Sequence, residues 1–213
     1  MSHVRNALLA AAVALAAVPA SAVAPQGASG AFAVANGAAA YAIVTDVGAT
    51  SGRVIVRRLG LDGGVLWEDR WGSGRNEDPV GAAVTSWGGI SVAGDDDTGC
   101  FAAHWSARSN RLWSSELQYG SECHTRAVLV DASGSTYVLA TTVAGGGSSA
   151  TLWKIDRQGS TVWSYRPTGP TARYAFALTL SAAGDAVTVT TAYSGPNGWV
   201  YENFDVDSNG RAR

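Results

Sequence analysis

Cys100, His104, Cys123 and His124 gather the sequence's two cysteines and two of its three histidines into a span of 25 residues. Two cysteines and two histidines are the donor set of a tetrahedral zinc centre, and Cys100 and His104 would share one face of a strand. The ligand spacing matches no common zinc module, and the adjacent Cys123 and His124 would point to opposite sides of a strand. In an exported chain a single cysteine pair forms a disulfide, so Cys100–Cys123 is the favoured reading, stabilising by about 3 kcal/mol through loop closure.

Two acidic segments raise calcium. Asp95, Asp96 and Asp97 form a run in a Gly-flanked loop, and calcium takes six to eight oxygens, although solvated charge is the commoner outcome in a connecting loop. DVDSNG, with Asp205, Asp207 and Asn209, matches the first half of an EF-hand loop, but its position-12 glutamate would lie beyond Arg213. The same residues also read as a hairpin turn, and calcium stays open at both places.

The catalytic inventory is thin. No Gly-x-Ser-x-Gly elbow and no phosphate-binding Gly-x-x-x-x-Gly-Lys loop occurs, and the single lysine, Lys154, falls in a strand. No catalytic, cofactor-binding or metal residue is assigned. Net charge is −2 with charged residues at 15%, so there is no basic face to hold nucleic acid.

The elements that would position these residues are strands. Glycine numbers 26 without a collagen period, which implies many turns and many short strands. Three segments align on a tryptophan: RRLGLDGGVLW at Trp67, HWSARSNRLW at Trp113 and WKIDRQGSTVW at Trp163, spaced 46 and 50 residues. Gly63, Ser109 and Gly159 precede them by four residues and suit a tight turn. About twenty residues after each tryptophan, AAVTSWGGISVAG, AVLVDASGSTYVLAT and ALTLSAAGDAVTVTT repeat one shape, anchored on Gly89, Gly134 and Gly184.

Each period therefore holds two hairpins, the four-stranded unit of a β-propeller blade. The expected fold is all-β, with a half-blade at 31–48, full repeats near 52–97, 98–146 and 149–193, and a half-blade at 198–213. Trp67, Trp113 and Trp163 are expected to pack between blades, burying roughly 150–250 Å² each, rather than to stack a ligand. Trp71, Trp87, Trp105 and Trp199 fall outside the pattern. Half-blades at the two ends could pair into a four-bladed ring. The favoured alternative is a chain cut from a longer propeller, since the next blade tryptophan would fall at position 214.

LWKIDRQGSTVW with ALTLSAAGDAVTVTT, and SNRLWSSELQYG with AVLVDASGSTYVLAT, resemble the bacterial seven-bladed β-propeller repeat (SBBP-like) and the looser PQQ-like repeat. The resemblance covers about residues 31–213. It implies propeller architecture and is nearly silent on activity, because such repeats occur in enzymes, scaffolds and surface proteins. The first copy departs from the pattern with Trp87-Gly88-Gly89 in its turn, and the second with Ser106 in place of the turn aspartate.

Residues 1–22 have the layout of a secretory signal: Arg5, an apolar run from Leu8 to Val18, then Ala20, Ser21 and Ala22 for cleavage before Val23. A short linker follows at 23–30. No later stretch approaches 18 apolar residues, so no membrane insertion follows leader cleavage. The expected protein is secreted, periplasmic or on the cell surface. It is a non-catalytic propeller binding an unknown protein or carbohydrate through the loops Gly72–Asp78, Gly145–Ser149 and Ser194–Gly198, with no cofactor. The runner-up is part of an enzyme acting on polysaccharide or through a quinone, with its site in further blades. A purely structural repeat segment is third.

Overall fold

The structure is a computed structural model that describes residues 31–46, 52–119, 122–144, 147–167, 173–181 and 184–213. The leader at 1–22, its cleavage point and the linker at 23–30 lie outside the described residues, as do Gly145 and Gly146 of one expected binding loop.

The described residues form fifteen strands and no helix, arranged as four antiparallel sheets. The first sheet runs β1 (Ala31–Asn36), β2 (Ala39–Asp46), β3 (Arg53–Leu59) and β4 (Val65–Trp71), in that order. The second holds β5 (Asp78–Val84), β6 (Ile90–Asp96), β7 (Gly99–Trp105) and β8 (Arg111–Tyr119). The third holds β9 (Glu122–Val130), β10 (Thr136–Ala144), β11 (Gly147–Ile155) and β12 (Thr161–Tyr165). The fourth has three strands, β13 (Tyr174–Leu180), β14 (Ala186–Gly195) and β15 (Gly198–Asp207), with an added bridge from Val206 to Ala212.

Each sheet joins the second hairpin of one sequence period to the first hairpin of the next. The pairing unit therefore starts half a period from the 52–97, 98–146 and 149–193 frame. Evenly spaced strands in a meander can be divided at any hairpin; here the breaks between sheets fall between Trp71 and Asp78, between Tyr119 and Glu122, and between Tyr165 and Tyr174. The segment expected as a half-blade at 31–48 is completed by β3 and β4. Among the described strands none pairs β15 with β1, and the four sheets are not closed into a ring.

The sheets stack face to face, and strand alternation explains how. In β7 every residue is buried: Phe101, Ala103 and Trp105 face the first sheet, while Cys100 and Ala102 face the third. In β10, Val138 and Ala140 face the second sheet, and Tyr137 and Leu139 face the fourth. A strand covered on both faces needs small or apolar residues at consecutive positions, which is why these segments read as nearly unbroken apolar runs.

Tight turns close the hairpins. Gly134 and Gly159 adopt the left-handed conformation, and Ser109 takes the same conformation at φ 73° without being glycine. In the first copy the left-handed residue is Gly88 rather than the expected anchor Gly89. Asp131, Asp156 and Asp207 hold these turns by accepting backbone N–H groups through one carboxylate oxygen.

Candidate functional site

A cleft of about 370 Å³ opens between the second and third sheets, lined by Trp87, His104, Leu112, Gly134, Arg157 and Gln158. The repeat is broken beside it. Across the central strands Tyr41 pairs with Arg58 and Tyr137 with Lys154, but the matching pair of the second sheet is Ser91 with His104.

The intact interfaces show what that exchange removes. Tyr41 meets Trp67 edge-on at 5.6 Å, and its hydroxyl donates to the Gly88 carbonyl in the next sheet's turn at 2.5 Å. Tyr137 meets Trp163 at 6.0 Å in the same way. Trp67 and Trp163 then donate their indole N–H groups to the carbonyls of Ala107 and Ser208 in the neighbouring turn, at 3.1 and 2.9 Å. Ser91 supplies no ring, and the space opens beside Gly134, the equivalent of Gly88. His104 stacks on Trp113 instead, at 5.7 Å and 18° between planes. The Trp113 indole N–H is buried and has no hydrogen-bond partner among the described residues.

The remaining walls come from turns. In the β5–β6 turn, Thr85 accepts the Gly89 N–H at 2.8 Å and presents Trp87 outward, 41% exposed. The Trp87 ring lies so close over Gly134 that a β-carbon there would sit 2.4 Å from it, a contact that only glycine permits. Asp156 orders the β11–β12 turn, and Arg157 places its guanidinium over Trp87, 4.7 Å from the ring centre.

His104 is the buried member of this set, at 5% exposure. Its Nδ1 lies 2.9 Å from Ser91 Oγ, which lies 2.7 Å from Thr136 Oγ1. Burial, and then the positive charge of Arg157, pull its pKa from 6.5 down to about 4. The imidazole is therefore neutral at pH 7. A serine beside a histidine resembles a nucleophile–base pair, but Ser91 is fully buried and no carboxylate orients the ring among the described residues.

Cys100 and Cys123 form a disulfide with Cα atoms 5.5 Å apart, tying β7 to β9 across the second and third sheets. Such bonds persist in oxidising environments. The Cys2His2 set does not converge: the sulfurs bond each other, His104 lies in the cleft, and His124 sits 2.9 Å from Glu122 and 3.6 Å from Asp95. Nor do the three aspartates meet at one point. Asp95 accepts the Thr125 N–H at 2.6 Å, Asp96 takes Thr98 and Arg75, and Asp97 takes Asn76. Asp205 accepts the Thr188 hydroxyl while Asp207 caps its own turn through Asn209 and Arg211. Among the described residues no group of three or more His, Cys, Asp or Glu could hold a metal ion.

Trp67, Trp113 and Trp163 all lie between sheets, each in a different interface. The loop at Gly72–Asp78 and the Ser194–Gly198 turn lie at the strand ends opposite the cleft, the end that also carries the disulfide and the acidic run. Sequence reasoning set Trp87 apart as irregular without tying it to Arg157, Gln158 or Leu112. The signal that ties them is the column Tyr41, Ser91, Tyr137 and Thr188: of the three members that face a following sheet, Ser91 alone carries no ring.

No helix among the described residues is long and apolar enough to cross a membrane. No protein-family model and no curated protein sequence matches the chain. Among solved structures, Drosophila Plexin A in complex with Semaphorin 1b is similar at 7% identity and a TM-score of 0.30, over 91% of this chain. The match takes in 55% of the Plexin A chain, so this chain spans about half of that structure's length.

Proposed function

We propose that this chain is an exported, non-catalytic β-propeller-repeat module that binds its ligand in the cleft between the second and third sheets. The observation that carries the reading is the exchange of Tyr41 and Tyr137 for Ser91, with His104 in place of Arg58 and Lys154. A repeat under structural constraint alone gains from keeping the tyrosine, which packs on the blade tryptophan and bonds a turn, that of the next sheet for Tyr41 and that of its own sheet for Tyr137. The second sheet gives up that packing and has beside it a cavity within the size range of small-molecule sites.

The propeller reading rests on the four aligned sequence copies and on sheets of three to four antiparallel strands stacked in sequence order. Export rests on the leader and agrees with the disulfide. An enzymatic reading of Ser91 and His104 is disfavoured because the hydroxyl is enclosed between His104 and Thr136, out of reach of a substrate.

Thermal-shift screening of the intact, disulfide-bonded chain against protein-derived peptides, neutral sugars and sugar acids tests the proposal, beside Ser91→Tyr, which restores the ring of the sister interfaces. A compound class should stabilise the natural chain and lose its effect on Ser91→Tyr. Equal stabilisation of both would remove the cleft as the site. Conversion of a bound compound to product, abolished in His104→Ala, would overturn the non-catalytic reading.

A further inference from the structure

We infer that the cleft selects a ligand carrying a carboxylate on a single six-membered ring, an inference that rests on the cleft being the binding site. The charge of its walls is the first ground. Arg157 has no carboxylate partner among the described residues, and no aspartate or glutamate lines the cleft. The nearest acid, Asp156, directs one oxygen to the backbone N–H groups of Gln158 and Ser160, at 2.9 and 2.8 Å. A guanidinium so placed presents several N–H donors in the fork that matches a carboxylate.

The second ground is the supply of hydrogen bonds. The Gln158 amide adds N–H donors at the same rim. His104 lines the cleft, and its Nε2 has no protein partner among the described residues, while Nδ1 is held by Ser91. The neutral ring holds one proton, so Nε2 can donate to a ligand when Ser91 donates to Nδ1 and accept from one when Nδ1 donates to Ser91. The unpaired indole N–H of Trp113 lies directly behind that ring.

Shape is the third ground. Trp87 offers a flat apolar face and Leu112 an aliphatic one, and the cavity of about 370 Å³ has room for a single ring and its substituents. A ring-sized body against Trp87 with its carboxylate on Arg157 uses every wall. Two sources share that chemistry: a hexuronate from an acidic polysaccharide, and an aromatic acid such as benzoate.

The test is a titration of the ¹⁵N-labelled intact chain with glucuronate and benzoate, each beside its neutral counterpart, glucose and benzamide. The readout is the indole N–H signals of Trp87 and Trp113. At least one acid should shift both signals saturably, bind about tenfold or more tightly than its neutral counterpart, and weaken about tenfold in Arg157→Gln, the loss of one charge-assisted bond. Arg157 is exposed in a turn, so an unchanged spectrum of the variant reports an intact fold. Preference for glucuronate assigns the polysaccharide source, and preference for benzoate the aromatic one. Equal binding of acid and neutral partner at Trp87 overturns the carboxylate inference and leaves the cleft standing. Shifts confined to signals away from Trp87 and Trp113, or none from either acid at millimolar concentration, overturn it too.

Discussion

Acidification from pH 7 to pH 5 should cost the folded chain about 2 kcal/mol through His104 alone. The ring is 5% exposed, stacked on Trp113 and bonded through Nδ1 to Ser91, so its charged form is poorly solvated and is also repelled by Arg157. The folded state holds its pKa at about 4, while the unfolded chain returns it to the ordinary 6.5. Between those values the unfolded state binds a proton that the folded state does not. Stability therefore falls as pH drops from 6.5 and levels off below 4. At about 1.36 kcal/mol per pH unit the gap caps the loss near 3 kcal/mol, of which about two thirds is incurred by pH 5. Burial raises the Asp95 pKa and gives it the opposite sign, a gain in stability as it protonates. Glu68, Asp96, Asp185 and Asp207 sit below their usual values and lose stability only at lower pH. Urea unfolding of the natural chain and of His104→Gln at pH 7, 6 and 5 isolates the histidine's contribution, because glutamine can still bond Ser91 and cannot titrate. The natural chain should lose about 2 kcal/mol relative to the variant. Parallel pH dependence in the two, or an NMR midpoint for His104 near 6.5, would refute the argument.

Trp113→Ala should destabilise by roughly 3–5 kcal/mol, because the ring is 8% exposed and rests on Gly159, where a β-carbon would come within 2.7 Å of it. Trp199→Ala, at a site 60% exposed, is the matched control and should be nearly neutral by urea unfolding. A comparable loss at both sites would mean that the inter-sheet contact is not the cause. Opening the disulfide with the double variant Cys100→Ser, Cys123→Ser should cost about 3 kcal/mol for a loop of 23 residues' separation. Thiol titration of the denatured natural protein should find no reactive cysteine, and two would contradict the bond.

Period-2 alternation and the fixed place of turn glycines made the strands legible, since both are local properties of the backbone. Trp67, Trp113 and Trp163 were equally legible, because a large ring at a constant distance from a turn glycine needs a constant neighbour. The assignment of hairpins to sheets was not, because the connection between β2 and β3 and that between β4 and β5 both join consecutive strands, and nothing local to either says which one closes a sheet. What separates the first two sheets is the stretch from Gly72 to Glu77, whose bonds to Asp96 and Asp97 only the folded chain reveals. A hairpin phase is a property of non-local pairing, and a periodic sequence is compatible with either division.

The cleft was hidden for a different reason. Chemical scarcity drew attention to the cysteines, histidines and aspartate runs, yet most of those groups are consumed by the fold: the sulfurs join sheets, Asp207 caps a turn, and Asp96 and Asp97 tie loops together. Of the rare residues only His104 reaches the cleft, and it does so without its expected partners. In a repeat protein the informative residue is the one that departs from its column at a cost. Ser91 removes a ring that Tyr41 and Tyr137 use for packing and hydrogen bonding, and in the same interface the Trp113 N–H has no partner among the described residues where Trp67 and Trp163 are satisfied. A buried donor without a partner costs about 1–3 kcal/mol, a penalty that structure alone gives no reason to keep. A ligand that fills the cleft and stabilises the chain would supply that reason.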